Sequence, residues 1–178
     1  MVLGEKVGAL SKFEFCPQCG LTTIAAFGKN AVQCETCGFV FFQNCASAVA
    51  AIIETNAGIL MTVRRKPPKR RYYDLPGGFV DPGESLEEAL KREIREELNL
   101  EIRNLRYFVS CPNTYAYRKV TYFTTDAYFI CRPVNPKAMR SSGEIAEILE
   151  VKPEAIDFGK IAFESTRQAL GKYVKRGK

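Results

Sequence analysis

The sequence contains no histidine. Without imidazole the chain cannot build a Ser-His-Asp or Cys-His nucleophile, a His-Glu-x-x-His metalloprotease site, or a histidine general base. Any acid–base chemistry must therefore use the side chains of Glu, Asp, Lys, Tyr or Cys.

Long apolar segments are also missing. No apolar run reaches the roughly 18 residues that a membrane-spanning helix requires. The chain does not open with the charged, apolar and small-residue regions of a signal peptide either. We therefore expect a cytoplasmic protein without membrane association. Its 178 residues, 46% hydrophobic and 26% charged, suffice for one globular domain and a small additional module.

Four of the seven cysteines form two Cys-x-x-Cys pairs, each followed by a glycine. Fourteen residues separate the pair Cys16/Cys19 from the pair Cys34/Cys37, a spacing typical of a zinc ribbon. A disulfide framework would require an oxidising compartment, and a thioredoxin-type redox pair would not explain two copies. We therefore expect a structural Zn²⁺ site. The other cysteines lie in apolar or strand-like stretches, and we expect them to be buried: Cys45, Cys111 and Cys131.

A predicted helix carries acidic residues in an unusual place. Ser85 and Glu88 match a capping box, and the apolar residues that follow recur at helical spacing, which predicts a helix from about Leu86 to Leu98. Glu93 and Glu97 fall within the apolar face of this helix. Acids at the edge of a core repel one another and lose hydration, and a bound divalent cation offsets that cost.

Glu96 lies on the same side of the helix as Glu93 and Glu97. The alternative interpretation is a charged surface helix whose acids pair with Arg92 and Arg95. The loop before the helix argues against it, because its two successive glycines, Gly77 and Gly78, let the backbone come close to a ligand.

With this loop the sequence resembles the signature of the Nudix hydrolases. That signature reads Gly, five residues, Glu, seven residues, Arg-Glu, an aliphatic residue, any residue, Glu-Glu, any residue, Gly and an aliphatic residue. The matching positions here are Gly78, Glu84, Arg92, Glu93, Ile94, Glu96, Glu97, Asn99 and Leu100. Asn99 replaces the glycine of the family at a helix end, where a left-handed residue is needed and asparagine is tolerated.

The resemblance implies an α+β fold: a Nudix α/β/α sandwich with a mixed sheet over residues 44–178, after a small β zinc ribbon over residues 1–43. It also implies a Mg²⁺- or Mn²⁺-dependent pyrophosphohydrolase that cleaves a nucleoside diphosphate linked to another moiety. Arg92 would orient the acids through a salt bridge, Glu84 would support the loop, and either Glu93 or Glu97 would activate the water. The implied metal ligands are the Gly78 carbonyl, Glu93, Glu96 and Glu97.

A further acidic ligand is expected from the second half of the chain. Mg²⁺ prefers octahedral oxygen coordination, and the helix offers only three carboxylates. Glu144 is our candidate because it follows a flexible turn and precedes a predicted strand, and Glu147 is the second choice. The alternative is that Glu144 is an ordinary solvent-facing acid.

A basic cluster in residues 64–71 precedes the glycine loop. Cations beside an acidic metal site suit a phosphate-bearing substrate. Arg64 and Arg65 end a predicted strand that points at the site, and Tyr73 offers a flat surface for a base, so we assign these three residues to substrate binding. The alternatives are a solubilising loop and a tyrosine in the core.

Within the family, a zinc ribbon before the hydrolase domain is similar to the NADH pyrophosphatase branch, which also removes NAD from RNA ends. That branch has a Ser-Gln-Pro-Trp-Pro-Phe-Pro-x-Ser stretch, of which this chain keeps only Ser110 and Pro112. Because most of that stretch is absent, the resemblance implies NAD(H), ADP-ribose or another sugar nucleotide as substrate and does not select one of them. NAD-capped RNA is the expected RNA partner, and we expect a homodimer. The alternative is a nucleotide-sensing or RNA-binding zinc-ribbon protein with little catalysis.

Strand and helix patterns complete these expectations. Residues 46–54 and 58–65 read as two strands of a hairpin, and residues 160–175 have helical periodicity. Further strands are predicted at residues 78–80, 105–110, 120–131 and 145–151.

Overall fold

The computed structural model describes Lys6 and residues 8–176. The described residues form two separate compact units: those before Ala46 together with Thr114–Phe123, and residues 46–113 together with residues 124–176. The proposed boundary between residues 43 and 44 stays a prediction. No helix within the described part of the chain is long and apolar enough to cross a membrane.

The regular elements follow in chain order. They are β1 (Ile24–Phe27), β2 (Ala31–Cys34), β3 (Val40–Phe42), β4 (Ala46–Ile53), β5 (Ile59–Arg64), β6 (Tyr73–Asp74), β7 (Gly77–Phe79), α1 (Leu86–Leu98), β8 (Ile102–Tyr117), β9 (Val120–Pro133), β10 (Ile145–Val151) and α2 (Glu164–Arg176).

The N-terminal unit contains a three-stranded antiparallel sheet in the order β1-β2-β3. Its core is small: Leu10, Ile24 and Val32 are buried, and Phe13 and Phe39 pack against them. So few apolar contacts give little stability to a segment of this length, which is why small domains of this kind rely on metals or disulfides.

The second unit contains two sheets. One has the order β7-β4-β9-β8 and is mixed, because β4 runs parallel to β9 and antiparallel to β7. The other has the order β10-β5-β6 and is antiparallel throughout.

Alternate residues of the central strands face different helices. In β4, Ala51 and Ile53 pack in the cluster that contains the apolar face of α1, whereas Ile52 packs with residues of α2. In β9, Phe129 packs on the α1 side and Tyr128 on the α2 side. A sheet with both faces buried under helices is the α/β/α sandwich that the resemblance implied, so that expectation is confirmed.

Helix α1 begins and ends at the expected residues. Ser85 and Glu88 form both bonds of the capping box, and Asn99 ends the helix in the left-handed conformation with φ 52°. The substitution of glycine by asparagine is therefore accommodated, and the Asn99 side chain donates to the carbonyl of Ala138 at 2.9 Å.

The predicted hairpin of residues 46–54 and 58–65 is wrong in its pairing. The turn forms, with a Thr55 N–H to Gly58 carbonyl bond of 2.9 Å and a bridge between Glu54 and Ile59. Beyond that bridge β4 and β5 belong to different sheets. Both edges of β4 are already occupied, by β7 and by β9.

Two other expectations need correction. Helix α2 begins at Glu164 rather than near residue 160, because Ile161 forms a parallel bridge with Tyr73 and the Ala162 N–H donates to the Tyr73 carbonyl.

Cys45 is exposed, whereas Cys111 and Cys131 are buried as expected. Burial raises the pKa of Cys131 to about 12, which makes this thiol unreactive.

Candidate active site

Two glycines allow the strand before α1 to approach both β4 and the helix. Gly77 and Gly78 pair with Ala50 and Val49 in the sheet. A Cβ atom on Gly77 would lie 2.1 Å from the Val49 carbonyl oxygen, and one on Gly78 would lie 2.5 Å from the carboxyl carbon of Glu93. No side chain fits at Gly77, where the nearest atoms are backbone, and a side chain at Gly78 would require the Glu93 carboxylate to move. The two glycines thus allow the close approach of the β7 backbone to β4 and to the helix acid.

Arg92 ties the loop to the helix. Its Nε and Nη2 atoms donate to the two carboxylate oxygens of Glu84 at 2.8 and 2.9 Å. Its Nη1 donates to Glu93 at 2.8 Å, and Nη2 also donates to the Phe79 carbonyl at 3.0 Å. A planar guanidinium can hold two carboxylates and a carbonyl at once, which lysine cannot do. Arg92 therefore fixes Glu84 and Glu93 relative to each other.

Glu84 is held as a carboxylate by this arrangement. Hydrogen bonds from Arg92, and then from the Asp81 N–H, lower the pKa of Glu84 to about 2. Sequence reasoning missed Asp81, whose carboxylate also lies 3.7 Å from Arg92.

Glu97 is the most deeply placed of the three helix acids. Its carboxylate accepts a bond from the Gly77 N–H at 3.0 Å. Burial is the main cause that raises the pKa of Glu97 to about 8; the Gly77 N–H opposes it, and the charges of Glu93, Asp74 and Glu144 add to it. Burial likewise raises the pKa of Glu93, against the effect of Arg92.

The third helix acid is in a different environment. The side chain of Glu96 is 60% exposed, compared with 16% for Glu93. Its nearest cation is Arg92, at 3.5 Å. The structure thus places two half-buried acids and one exposed acid along one side of α1, beside the β7 backbone.

Glu144 lies on the same side of the unit. Its backbone carbonyl accepts from the Arg65 N–H at 2.8 Å, and its exposed carboxylate pairs with Lys66 at 3.3 Å. Its charge contributes to the raised pKa of Glu97. Glu147 is exposed in β10, where it pairs with Val63.

The residues assigned to substrate binding have different surroundings. Arg64 is half-buried: it pairs with Asp74 at 3.1 Å and stacks on the ring of Phe163. Arg65 is exposed. Tyr73 packs against the core on the α2 side, with the Lys160 ammonium 5.7 Å from its ring centre.

Asp74 is a buried partner that sequence reasoning missed. Its carboxylate accepts from Arg64, from the Leu75 N–H at 2.9 Å and from the Thr166 hydroxyl at 3.1 Å. Burial raises its pKa, against the effect of Arg64. Its position directly before the Leu-Pro-Gly-Gly turn was the one signal available in the sequence.

The four cysteines of the two Cys-x-x-Cys pairs form a cluster. Their sulfur atoms all lie within 4.8 Å of one another, with Cys16 to Cys37 at 3.6 Å and Cys19 to Cys34 at 3.7 Å. Within the described residues, no other group of three or more such ligand atoms is this close together. The Thr23 hydroxyl, followed by backbone N–H groups, lowers the pKa of Cys34 to about 6. Against the effect of the Phe39 N–H, burial and the neighbouring thiols raise the pKa of Cys37 to about 12, so the low pKa is a property of Cys34 rather than of the whole cluster.

The two cysteine turns have the same geometry. The Gly20 N–H donates to the Cys16 carbonyl at 2.8 Å, and the Gly38 N–H donates to the Cys34 carbonyl at 3.0 Å. Both glycines are left-handed, with φ of 76° and 75°. The glycine after each pair is thus required by the turn that brings its two sulfurs to one side.

Comparison with known proteins agrees with this architecture. The sequence profile of the NUDIX domain matches residues 45–171. The chain belongs to the Nudix family. The Nitrosomonas europaea NUDIX hydrolase has a similar structure, with a TM-score of 0.72 over 91% of this chain and 90% of that one, at 23% identity. A MutT NUDIX hydrolase from Burkholderia pseudomallei gives a TM-score of 0.63 over 72% and 97%, at 21% identity. At these identities the likeness shows the fold alone.

Curated Nudix relatives are more similar in sequence. The NAD-capped RNA hydrolase NudC of Haemophilus influenzae (strain PittGG) is 34% identical over 119 residues, which cover 66% of this chain and 45% of that protein. The protein of the same name from Vibrio vulnificus is 33% identical over 100 residues, or 55% and 37% of the two chains. The chain therefore spans less than half the length of these relatives.

We predict that Gly78→Ala destabilises the Nudix domain. The added Cβ would overlap the carboxylate of Glu93, which Arg92 holds in place, so the expected loss is about 1–3 kcal/mol in the free energy of unfolding, measured by urea denaturation. Gly171→Ala is the control: nothing lies within 4 Å of its Cβ and the site is helical, so it should be neutral or slightly stabilising. Equal effects of the two substitutions would contradict the proposed contact.

Proposed function

We propose that this Nudix protein is a divalent-metal-dependent pyrophosphohydrolase that cleaves a nucleoside diphosphate linked to another moiety, such as NAD(H) or ADP-ribose. The observation that carries the proposal is the position of two half-buried carboxylates, Glu93 and Glu97, against the Gly77–Gly78 backbone. Acids in such a place repel each other, and a hard cation with oxygen ligands would relieve that repulsion.

The chain supplies oxygen donors that suit Mg²⁺ or Mn²⁺. When bound, the ion would neutralise charge on the bridging phosphates and lower the pKa of a coordinated water. The proposed ligands are the Gly78 carbonyl, Glu93, Glu96, Glu97 and Glu144. We propose that either Glu93 or Glu97 accepts the proton of the attacking water, because both carboxylates occupy the positions of the family signature to which the resemblance gives this role.

Arg92 and Glu84 act as positioning residues in this proposal. The bidentate pair leaves Glu84 ionised and Arg92 fully occupied, so the guanidinium serves to orient Glu93 rather than to contact substrate.

Arg65 is exposed near Glu144, and we propose that it binds a substrate phosphate. Arg64 and Tyr73, on the neighbouring strands, would contribute to the same substrate site.

The proposed substrate contains an adenosine diphosphate portion. Support comes from the NudC relatives, whose name describes hydrolysis of NAD-capped RNA. This chain lacks the tryptophan-containing stretch of that branch, and Ser110 and Pro112 lie within β8 at the matching place. NAD-capped RNA as a substrate, a homodimer and a cytoplasmic location belong to the same proposal.

We propose that the cysteine cluster holds a structural Zn²⁺. Tetrahedral coordination with Zn–S bonds of about 2.3 Å requires sulfurs about 3.8 Å apart, close to the 3.6 and 3.7 Å separations observed. Four thiolates leave no open position for a substrate. The ion would instead stabilise a unit whose hydrophobic cluster, within the described residues, contains three buried side chains.

Glu97→Gln tests the proposed catalytic site. The change removes one charge with little change in volume, so turnover should fall about 100-fold or more while the melting temperature is maintained. The assay is AMP release from NADH and ADP-ribose at saturating Mg²⁺ or Mn²⁺. Glu87→Gln, an exposed acid of the same helix, is the control and should leave activity unchanged. Activity of Glu97→Gln near that of the wild type would reject the assignment, and a wild-type protein without activity would favour the nucleotide-sensing or RNA-binding alternative.

Cys34→Ser tests the structural ion. We expect the wild type to contain zinc by elemental analysis, and the variant to lose it together with soluble yield, because three thiolates no longer complete the tetrahedron. Cys45→Ser is the matched control, since Cys45 is exposed and lies outside the cluster. Freshly purified wild type without zinc would overturn the proposal.

The substrate class is tested by comparing kcat/KM values. We expect NADH and ADP-ribose to exceed the common nucleoside triphosphates by about tenfold or more, because a site that binds both halves of a diphosphate diester uses groups that a triphosphate leaves unpaired. A preference for any nucleoside triphosphate, with release of pyrophosphate, would reject this class while leaving the Nudix chemistry intact.

A further inference from the structure

A cavity lies in the second compact unit, here called the Nudix unit, away from Glu93 and Glu97. It has a volume of about 590 Å³ and opens beside the turn that follows β4. Glu54 in its lining comes five residues after Val49, the sheet partner of Gly78. At about 3.3 Å per strand residue, the cavity lies roughly 16 Å along β4 from that pairing. It is therefore distinct from the candidate active site.

The lining of this cavity is both basic and apolar. Arg103, Arg132 and Lys137 contribute cationic side chains, and Val134 and Met139 contribute apolar surface beside the buried Leu60. A smaller cavity of about 210 Å³ shares Glu54 and Arg132 with it and adds Arg106.

The acids of the cavity already have partners. Glu54 accepts from the Tyr173 hydroxyl at 2.9 Å, and Glu150 accepts from the Thr55 hydroxyl. Glu54 also lies 3.9 Å from Arg132, whose side chain is still 51% exposed. In the described part of the chain, no carboxylate lies within 4.0 Å of the cationic groups of Arg103 or Lys137. Positive charge therefore exceeds what the local acids neutralise.

The segment of residues 136–142, which contributes Pro136, Lys137 and Met139 to the lining, is held in place. The Asn99 side chain donates to the Ala138 carbonyl, the Arg140 N–H donates to the Leu98 carbonyl, and the Ser142 N–H donates to the Glu97 carbonyl, each at 2.9 Å. This segment is bonded to the last turn of α1 and to its cap. The cavity is thus preformed, as small-molecule sites usually are.

We infer that this cavity binds a phosphate monoester of a small organic molecule, of the size of a mononucleotide. The phosphate would pair with Arg103 and Lys137, with Arg132 at the boundary to the smaller cavity, because arginine and lysine without acidic partners favour a phosphate group. The organic part would lie on Val134 and Met139. The volume lies within the range of 300–1,000 Å³ that is typical of such sites.

AMP, ribose 5-phosphate and adenosine are the probes for this site. Each is titrated into ¹⁵N-labelled full-length protein without added divalent metal, and backbone amide shifts are followed residue by residue. We expect AMP and ribose 5-phosphate to cause saturable shifts at residues 55–57 and 134–139, and adenosine to cause none there. Shifts confined to residues 77–85, shifts that do not saturate, or equal binding of adenosine would each overturn the inference.

Charge removal provides the matched comparison. In Arg103→Gln/Lys137→Gln the AMP affinity measured at these amides should fall about tenfold or more. Lys91→Gln/Arg95→Gln removes the same charges from exposed positions of α1 outside the cavity and should leave the affinity unchanged. All four side chains are on the surface, so both variants should fold. An equal loss of affinity in both variants would show a general charge effect and reject the site. The readout is binding alone, so its result is independent of whether the chain hydrolyses pyrophosphates.

Discussion

The bidentate pair between Arg92 and Glu84 is the interaction on which the geometry of the candidate site depends. One guanidinium holds a loop carboxylate, a helix carboxylate and the Phe79 carbonyl, so the loop, α1 and β7 keep a fixed relative position. The glycines of β7 make this possible, because a side chain on Gly78 would occupy the space of Glu93. The Arg92 guanidinium thus holds groups from three separate elements in one relative arrangement.

That arrangement is unfavourable for the acids themselves. Glu97 and Glu93 lose hydration and face other carboxylates, and the raised pKa of both groups reports the cost. A protein selected only for stability would place apolar residues there. In the surrounding sandwich, alternate residues of the central strands pack apolar side chains against one helix or the other. The site differs because carboxylates occupy half-buried positions there, and such exceptions are characteristic of functional sites.

The N-terminal unit depends on a different constraint. Its sheet has three short strands and few buried apolar residues, so the hydrophobic effect alone gives it little stability. Two turns of identical geometry instead bring four sulfurs to within 4.8 Å of one another. An ion bound there would supply stability that the core lacks. The Nudix unit has extensive cores on both faces of its sheet and needs no such support.

Local pattern by itself determined α1, its capping box, the asparagine that ends it and the two cysteine turns, because each rests on contacts between residues at most five apart in the chain. The functional roles of the helix acids, of Glu144 and of the basic loop stay predictions, although the fold brings Glu93, Glu97 and Gly78 together. Tertiary structure decided what sequence reasoning missed: Asp74 as the partner of Arg64, the separation of β4 from β5, the late start of α2 at the Tyr73 bridge, and the exposure of Cys45. Those features depend on which strand edges and charged groups meet across the fold, and contacts between distant residues leave no periodic signal in the chain.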